Sequence, residues 1–138
     1  MRIKDSLGYI ITNTGRKITQ HLTQKFHAHG ITSEQWSVLQ TLTEEDGITQ
    51  AELSRRTEKD PTNVTRILDQ LERKELIRRG ANKGDRRSFL IHVTESGRSL
   101  SQKLLPVEIE FTQSYISDLT EEELTLLRRA LQKINERL

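Results

Sequence analysis

At Leu76 the hydrophobic period of the chain changes, and that change constrains the fold more than any other feature. Before it, apolar residues recur at helical spacing: Val64, Ile67, Leu68 and Leu71 fall at i, i+3, i+4 and i+7. Leu76-Ile77-Arg78-Arg79 then reads as a short strand and Gly80-Ala81-Asn82-Lys83-Gly84-Asp85 as turn chemistry. Arg87 to Val93 alternates, with Phe89, Ile91 and Val93 on one face. From Thr94 the helical period returns. A single β-hairpin between helical segments predicts a mainly α chain carrying one small β element.

The helical segments announce their own ends. Leu7, Ile10, Ile11, Ile18, Leu22 and Phe26 form one stripe, and Gly30 closes that helix. Thr32 with Gln35 is a capping box for a helix to about Leu42 that buries Trp36, Leu39 and Leu42. Thr49 with Glu52 is a second box, flanked by Ile48 and Leu53, and opens a short helix over about Gln50 to Thr57. Glu58-Lys59-Asp60 makes a tight turn. Asp60 is expected to cap the next helix, to about Lys74, with Pro61 in its first position. Thr94 is expected to cap a long helix toward Leu119 with Leu100, Leu104, Phe111 and Tyr115 on its apolar side, and Pro106 predicts a kink or break near Leu105. Thr120 with Glu123 forms a third box, and Glu121-Glu122-Glu123 suits the positive end of that helix. Leu124, Leu127, Leu131, Ile134 and Leu138 then step by three and four, as a helix–helix seam does.

Length and composition limit what these elements can build. The 138 residues fit one domain, and 37 of them are Leu, Ile, Val or Phe, enough for a core. Apolar residues are nevertheless only 33% of the chain and charged residues 30%. A lean core with apolar seams at 7–26 and 124–138 asks for a second copy to cover them. The absence of cysteine excludes disulfides and thiolate chemistry. No apolar run is long enough for a membrane span or a signal sequence, so a cytoplasmic chain is expected.

The net charge of +2 conceals an asymmetry. Residues 49–98 carry 12 basic and 8 acidic side chains, and seven cations fall between Arg73 and Arg87 against Glu75 and Asp85 alone. Two short helices across a three-residue turn, followed by a hairpin with a basic tip, make a helix-turn-helix with a wing. The outward residues of its second helix are Thr62, Asn63, Thr65, Arg66, Asp69 and Gln70. Asn pairs with adenine and Arg with guanine through two hydrogen bonds, while Thr offers a hydroxyl and a methyl, so this face is suited to the major groove of double-stranded DNA. Arg78, Lys83, Arg86 and Arg87 belong to the hairpin, the last three at or beside its tip, where they can meet phosphates or a narrow minor groove. Asp85 is expected to hold a neighbouring arginine or the turn.

These residues resemble the MarR (multiple antibiotic resistance regulator) family of bacterial transcription factors over nearly the whole chain. The likeness rests on Asp60-Pro61-Thr62-Asn63-Val64-Thr65-Arg66-Ile67-Leu68-Asp69-Gln70-Leu71-Glu72 followed by Leu76-Ile77-Arg78-Arg79, and on Asp85-Arg86-Arg87 followed by Val93-Thr94-Glu95-Ser96-Gly97. Two departures are visible: Val93 stands for the usual leucine, and Glu75 for the glycine common after the recognition helix. The resemblance implies a single domain over 1–138, with a winged helix-turn-helix at 32–98 and dimerisation helices at 1–30 and 99–138. It further implies a homodimer on a palindromic site, a repressor, and a small-molecule effector that lowers DNA affinity. Such an effector would sit among Tyr9, Ile10, Phe26, Trp36 and the fifth helix.

Competing functions fit less well. No nucleophile elbow, phosphate loop or paired-carboxylate spacing marks an enzyme, and His21, His27, His29 and His92 form no metal signature. No cofactor is expected. A winged-helix protein–protein adaptor would not need Lys83, Arg86 and Arg87, and a nonspecific DNA-packaging protein would be more basic.

Overall fold

Thr32 Oγ1 accepts from the Gln35 backbone at 3.1 Å, and Gln35 Oε1 accepts from the Thr32 backbone at 3.1 Å, closing the box that opens helix α2 (Ser33–Glu44). In the computed structural model, which describes residues 1–138, α2 follows α1 (Leu7–Phe26) across a 3₁₀ turn at His27–His29. Gly30 leaves that turn at φ 68°, the left-handed region that glycine enters without a Cβ penalty. Ser33 N donates to Thr23 Oγ1 at 3.0 Å, and the Phe26 and Trp36 rings pack edge to face at 5.5 Å, so α1 and α2 are joined by both polar and apolar contacts.

A two-residue strand, β1 (Ile48–Thr49), leads into α3 (Gln50–Thr57), and α4 (Pro61–Arg73) follows the turn. Strands β2 (Ile77–Ala81) and β3 (Phe89–Val93) form the hairpin, and β1 pairs on the other side of β3 in an antiparallel sheet of order β1-β3-β2. Sequence periodicity did not announce β1. Ile48 faces Ile91 in the ladder, and Thr49 both pairs with Leu90 and caps α3 by accepting from Glu52 N at 3.2 Å. The reciprocal half of that box is not made, because the Glu52 carboxylate accepts from Arg55 and Arg56 instead. Asp60 makes no side-chain cap either; Pro61 at the first position has no N–H, and the Asp60 carbonyl accepts from Val64 N as the first helical bond.

The chain divides into two compact units, Met1–Leu105 and Pro106–Leu138. In the first, Val38, Leu39, Leu42, Leu53, Val64, Ile67, Leu68 and Leu71 are fully buried where α2, α3 and α4 meet, and Ile77 and Ile91 extend this core onto the sheet. Phe89, expected on the same face as Ile91, is 56% exposed, because the ladder ends at its pairing with Ala81 and nothing covers it. The final helices are α5 (Glu95–Ile116) and α6 (Glu121–Glu136). Thr94 Oγ1 caps α5 by accepting from Gly97 N at 3.0 Å. At Gly97 an added Cβ would lie 2.2 Å from the Leu76 carbonyl oxygen, so a glycine is required for α5 to start against β2.

Of the kink or break expected near Leu105, the break does not occur: α5 runs through Pro106. The bond that proline removes is to the carbonyl four residues earlier, that of exposed Gln102, where water can replace it. In the second unit, Phe111 and Tyr115 pack edge to face at 5.1 Å and the Thr120–Glu123 box is complete. Leu124, Leu131 and Ile134 are half-buried in the single chain, while Leu127 and Leu138 of the same seam are exposed. No helix is long and apolar enough to cross a membrane.

Candidate nucleic-acid interface

Helix α4 buries Val64, Ile67, Leu68 and Leu71, which turns the rest of its circumference outward. Thr62, Thr65 and Arg66 are exposed there, and Asn63 and Gln70 are half-buried at the margins. The first two turns of α4 thus present hydroxyl, amide and guanidinium groups together, the chemistry that base edges in a major groove require.

Asn63, Thr65, Arg66 and Gln70 are already hydrogen-bonded. Gln50 Nε2, at the start of α3, donates to Thr65 Oγ1 at 2.5 Å, and Thr65 donates to the Pro61 carbonyl at 3.0 Å. Arg66 Nη2 donates to Asn63 Oδ1 at 2.5 Å and to Glu34 Oε2 at 3.3 Å. Gln70 Oε1 accepts from Gln35 Nε2 at 2.8 Å, while Lys74 Nζ donates to Gln35 Oε1 at 2.9 Å and to the Gly30 carbonyl. Partial burial there lowers the Lys74 pKa. Gln70 therefore belongs to a network fastening the far end of α4 to the α1–α2 junction. Glu34, Gln35 and Gln50 were not singled out from sequence. Their only signal was a place in a cap or first turn, which explained them without reference to α4.

The wing is built by short-range bonds. Asn82 Oδ1 accepts from Gly84 N at 3.0 Å, and Asn82 Nδ2 donates to Ser88 Oγ at 3.0 Å. Asp85 Oδ1 accepts from Arg87 N at 2.9 Å and from Arg87 Nε at 3.3 Å, so the carboxylate shapes the turn and orients the arginine together. The Arg87 side chain is 92% exposed and holds both Nη groups clear of that bond. Lys83, Arg86 and Arg78 are exposed with no carboxylate in ion-pair range. Two other arginines of the region are neutralised: Arg79 bonds Asp69 and Glu72, and Arg56 bonds Glu45 and Glu52. Hydrogen bonds from Arg55 and Arg56 hold the Glu52 carboxyl at about 2.

Between the wing and α3 lies a cleft of about 480 Å³ whose walls include Gln50, Ser54, Pro61, Arg87 and Phe89. It lies between the wing and Pro61 at the start of α4. Tyr9 and Ile10, by contrast, are exposed near the start of α1, whereas Phe26 and Trp36 are sealed in the core. Seventeen residues separate Tyr9 from Phe26, about 26 Å along a helix axis. Within one protomer the structure does not bring these four together.

The profile of the MarR family matches residues 31–89. Over 109 residues, 79% of this chain and 70% of its relative, the sequence is 32% identical to the HTH-type transcriptional repressor MdtR of Bacillus subtilis. The Staphylococcus aureus MepR–DNA complex superposes with a TM-score of 0.90 at 30% identity, covering 96% of this chain and 98% of that one. A mutant Escherichia coli MarR complexed with operator DNA gives 0.90 at 26% identity, covering 97% and 99%.

Proposed function

The chain belongs to the MarR family, and on that premise we propose that it is a sequence-specific DNA-binding transcriptional regulator, acting as a repressor in the cytoplasm and without catalysis. The observation that carries this is the α4 face bearing Thr62, Asn63, Thr65 and Arg66 beside a wing whose Lys83, Arg86 and Arg87 face solvent. Phosphate contacts from the wing position the protein; base contacts from α4 specify the sequence.

The working unit is a homodimer. Leu7, Tyr9 and Ile10 on α1, and Leu126 and Leu127 on α6, are exposed in the single chain. A second copy that covers such side chains supplies roughly 1.5–3 kcal/mol for each one fully buried. Each protomer then reads one half-site, and the operator is a pseudo-palindrome with half-site centres about one helical turn, roughly 10 base pairs, apart.

Selection of bound duplexes from a randomised pool by the purified protein tests the proposal. Enrichment of one pseudo-palindromic sequence is the expected result; a pool that stays random after repeated rounds contradicts it.

A further inference from the structure

Arg66 cannot read a base in the arrangement it holds in the free protein. Both hydrogens of its Nη2 are committed, one to Asn63 Oδ1 at 2.5 Å and one to Glu34 Oε2 at 3.3 Å. A guanidinium presents two parallel donor pairs to guanine O6 and N7: Nη1 with Nη2, and Nε with Nη2. Each pair contains Nη2, so Arg66 must leave one of its partners before either is available. The contact to Glu34 is the longer of the two and comes from another element. Glu34 stands in the first turn of α2, about half exposed, in a helix whose start is already secured by Thr32 and Gln35. Its carboxylate contributes nothing to the core and adds negative charge beside a face meant for a polyanion.

We infer that Glu34 is a specificity-determining residue of the DNA interface: its carboxylate holds the guanine-reading donor of Arg66 in the free protein and is displaced when a base takes that donor. The inference rests on the DNA-reading role proposed above. Arg66 Nη1 has no partner in the free protein, so a single contact to a phosphate needs no exchange, whereas the two-donor contact to guanine does. Removing the carboxylate therefore favours base-read binding over sequence-independent binding.

The test is a double-mutant cycle between Glu34→Gln and Arg66→Ala. Affinities are measured on a duplex enriched by the wild-type protein and on a random-sequence duplex, at low enough salt for Arg66→Ala to bind measurably. Glu34→Gln is expected to bind the enriched duplex about two- to fivefold more tightly, the range an exposed ion pair is worth. The gain should be smaller on the random duplex and absent in the Arg66→Ala background. Glu34→Asp, which keeps the charge but withdraws it by one methylene, should show the same gain.

An equal gain on both duplexes, or one that persists in Arg66→Ala, would mean simple repulsion of phosphate and overturn the inference. Unchanged or weaker binding by Glu34→Gln, with an unaltered thermal melt, would also overturn it. Failure of the wild-type protein to enrich any sequence is a different result: it removes the DNA-reading role itself, and the inference with it.

Discussion

Arg79 Nη2 lies 2.8 Å from Asp69 Oδ1, which fastens the first strand of the wing to the outer face of α4. Arg79 Nη1 reaches Glu72 Oε1 at the same distance, so one guanidinium on β2 neutralises two carboxylates one turn apart on α4. The Arg79 side chain is mostly buried and both carboxylates are about half exposed, so screening is only partial. Arg79→Ala should cost on the order of 1 kcal/mol in urea unfolding. It should weaken DNA binding by more than its stability loss explains, because two unpaired carboxylates then face the phosphates. Affinity that falls no further than stability would contradict this.

Glu75, two residues past the end of α4, sits at φ 60°, the left-handed conformation that suits glycine. The backbone there is held, since the Glu75 carbonyl accepts from Thr94 Oγ1 at 2.7 Å. Glu75→Gly should therefore stabilise the protein by roughly 1 kcal/mol, read as a rise in urea midpoint without a change in slope.

Glu52 makes the stability of α3 sensitive to acid. Its folded carboxyl titrates at about 2 against an ordinary 4.5, because Arg55 and then Arg56 donate to it. A depressed carboxylate contributes fully above its unfolded value and loses that contribution as pH falls through the folded one, so the window runs from about 4.5 down to about 2. Glu52→Gln should be less stable than wild type near neutral pH, and the two urea midpoints should converge across that window.

Leu127 and Leu131 lie on one seam of α6 but test different things. Leu131 is half-buried in the single chain, so a charge there disturbs folding, whereas Leu127 is 48% exposed. Leu127→Asp should sediment as a folded monomer and lose the extra affinity that two half-sites give over one. A dimer that survives the substitution would place the interface elsewhere.

Much of this architecture was legible because several local signals agreed. Pro61, the spacing of Val64 to Leu71 and the turn before them all specify one short helix, and α4 has those bounds. Legibility failed where one residue serves two elements. Thr49 reads as a cap and is one, but its pairing with Leu90 leaves no periodic trace in a two-residue strand. Pro106 reads as a breaker, yet the carbonyl it orphans belongs to an exposed residue. The wing could be read from Asp85 and Arg87, which are neighbours in sequence. Glu34 and Arg66 could not be paired in advance, because 32 positions separate them and only the packing of α2 on α4 brings them together.

The proposed function depends on α4 reading bases while the wing contacts phosphates. It is tested most directly by competition binding of wild type, Asn63→Ala, Arg66→Ala and Arg87→Ala to an enriched duplex and to its single-base-pair variants. The α4 substitutions should each cost roughly 1–3 kcal/mol on the enriched duplex and flatten discrimination at particular base pairs, while Arg87→Ala weakens all duplexes alike and lowers the salt slope by about 1. Discrimination that survives both α4 substitutions unchanged would contradict the account.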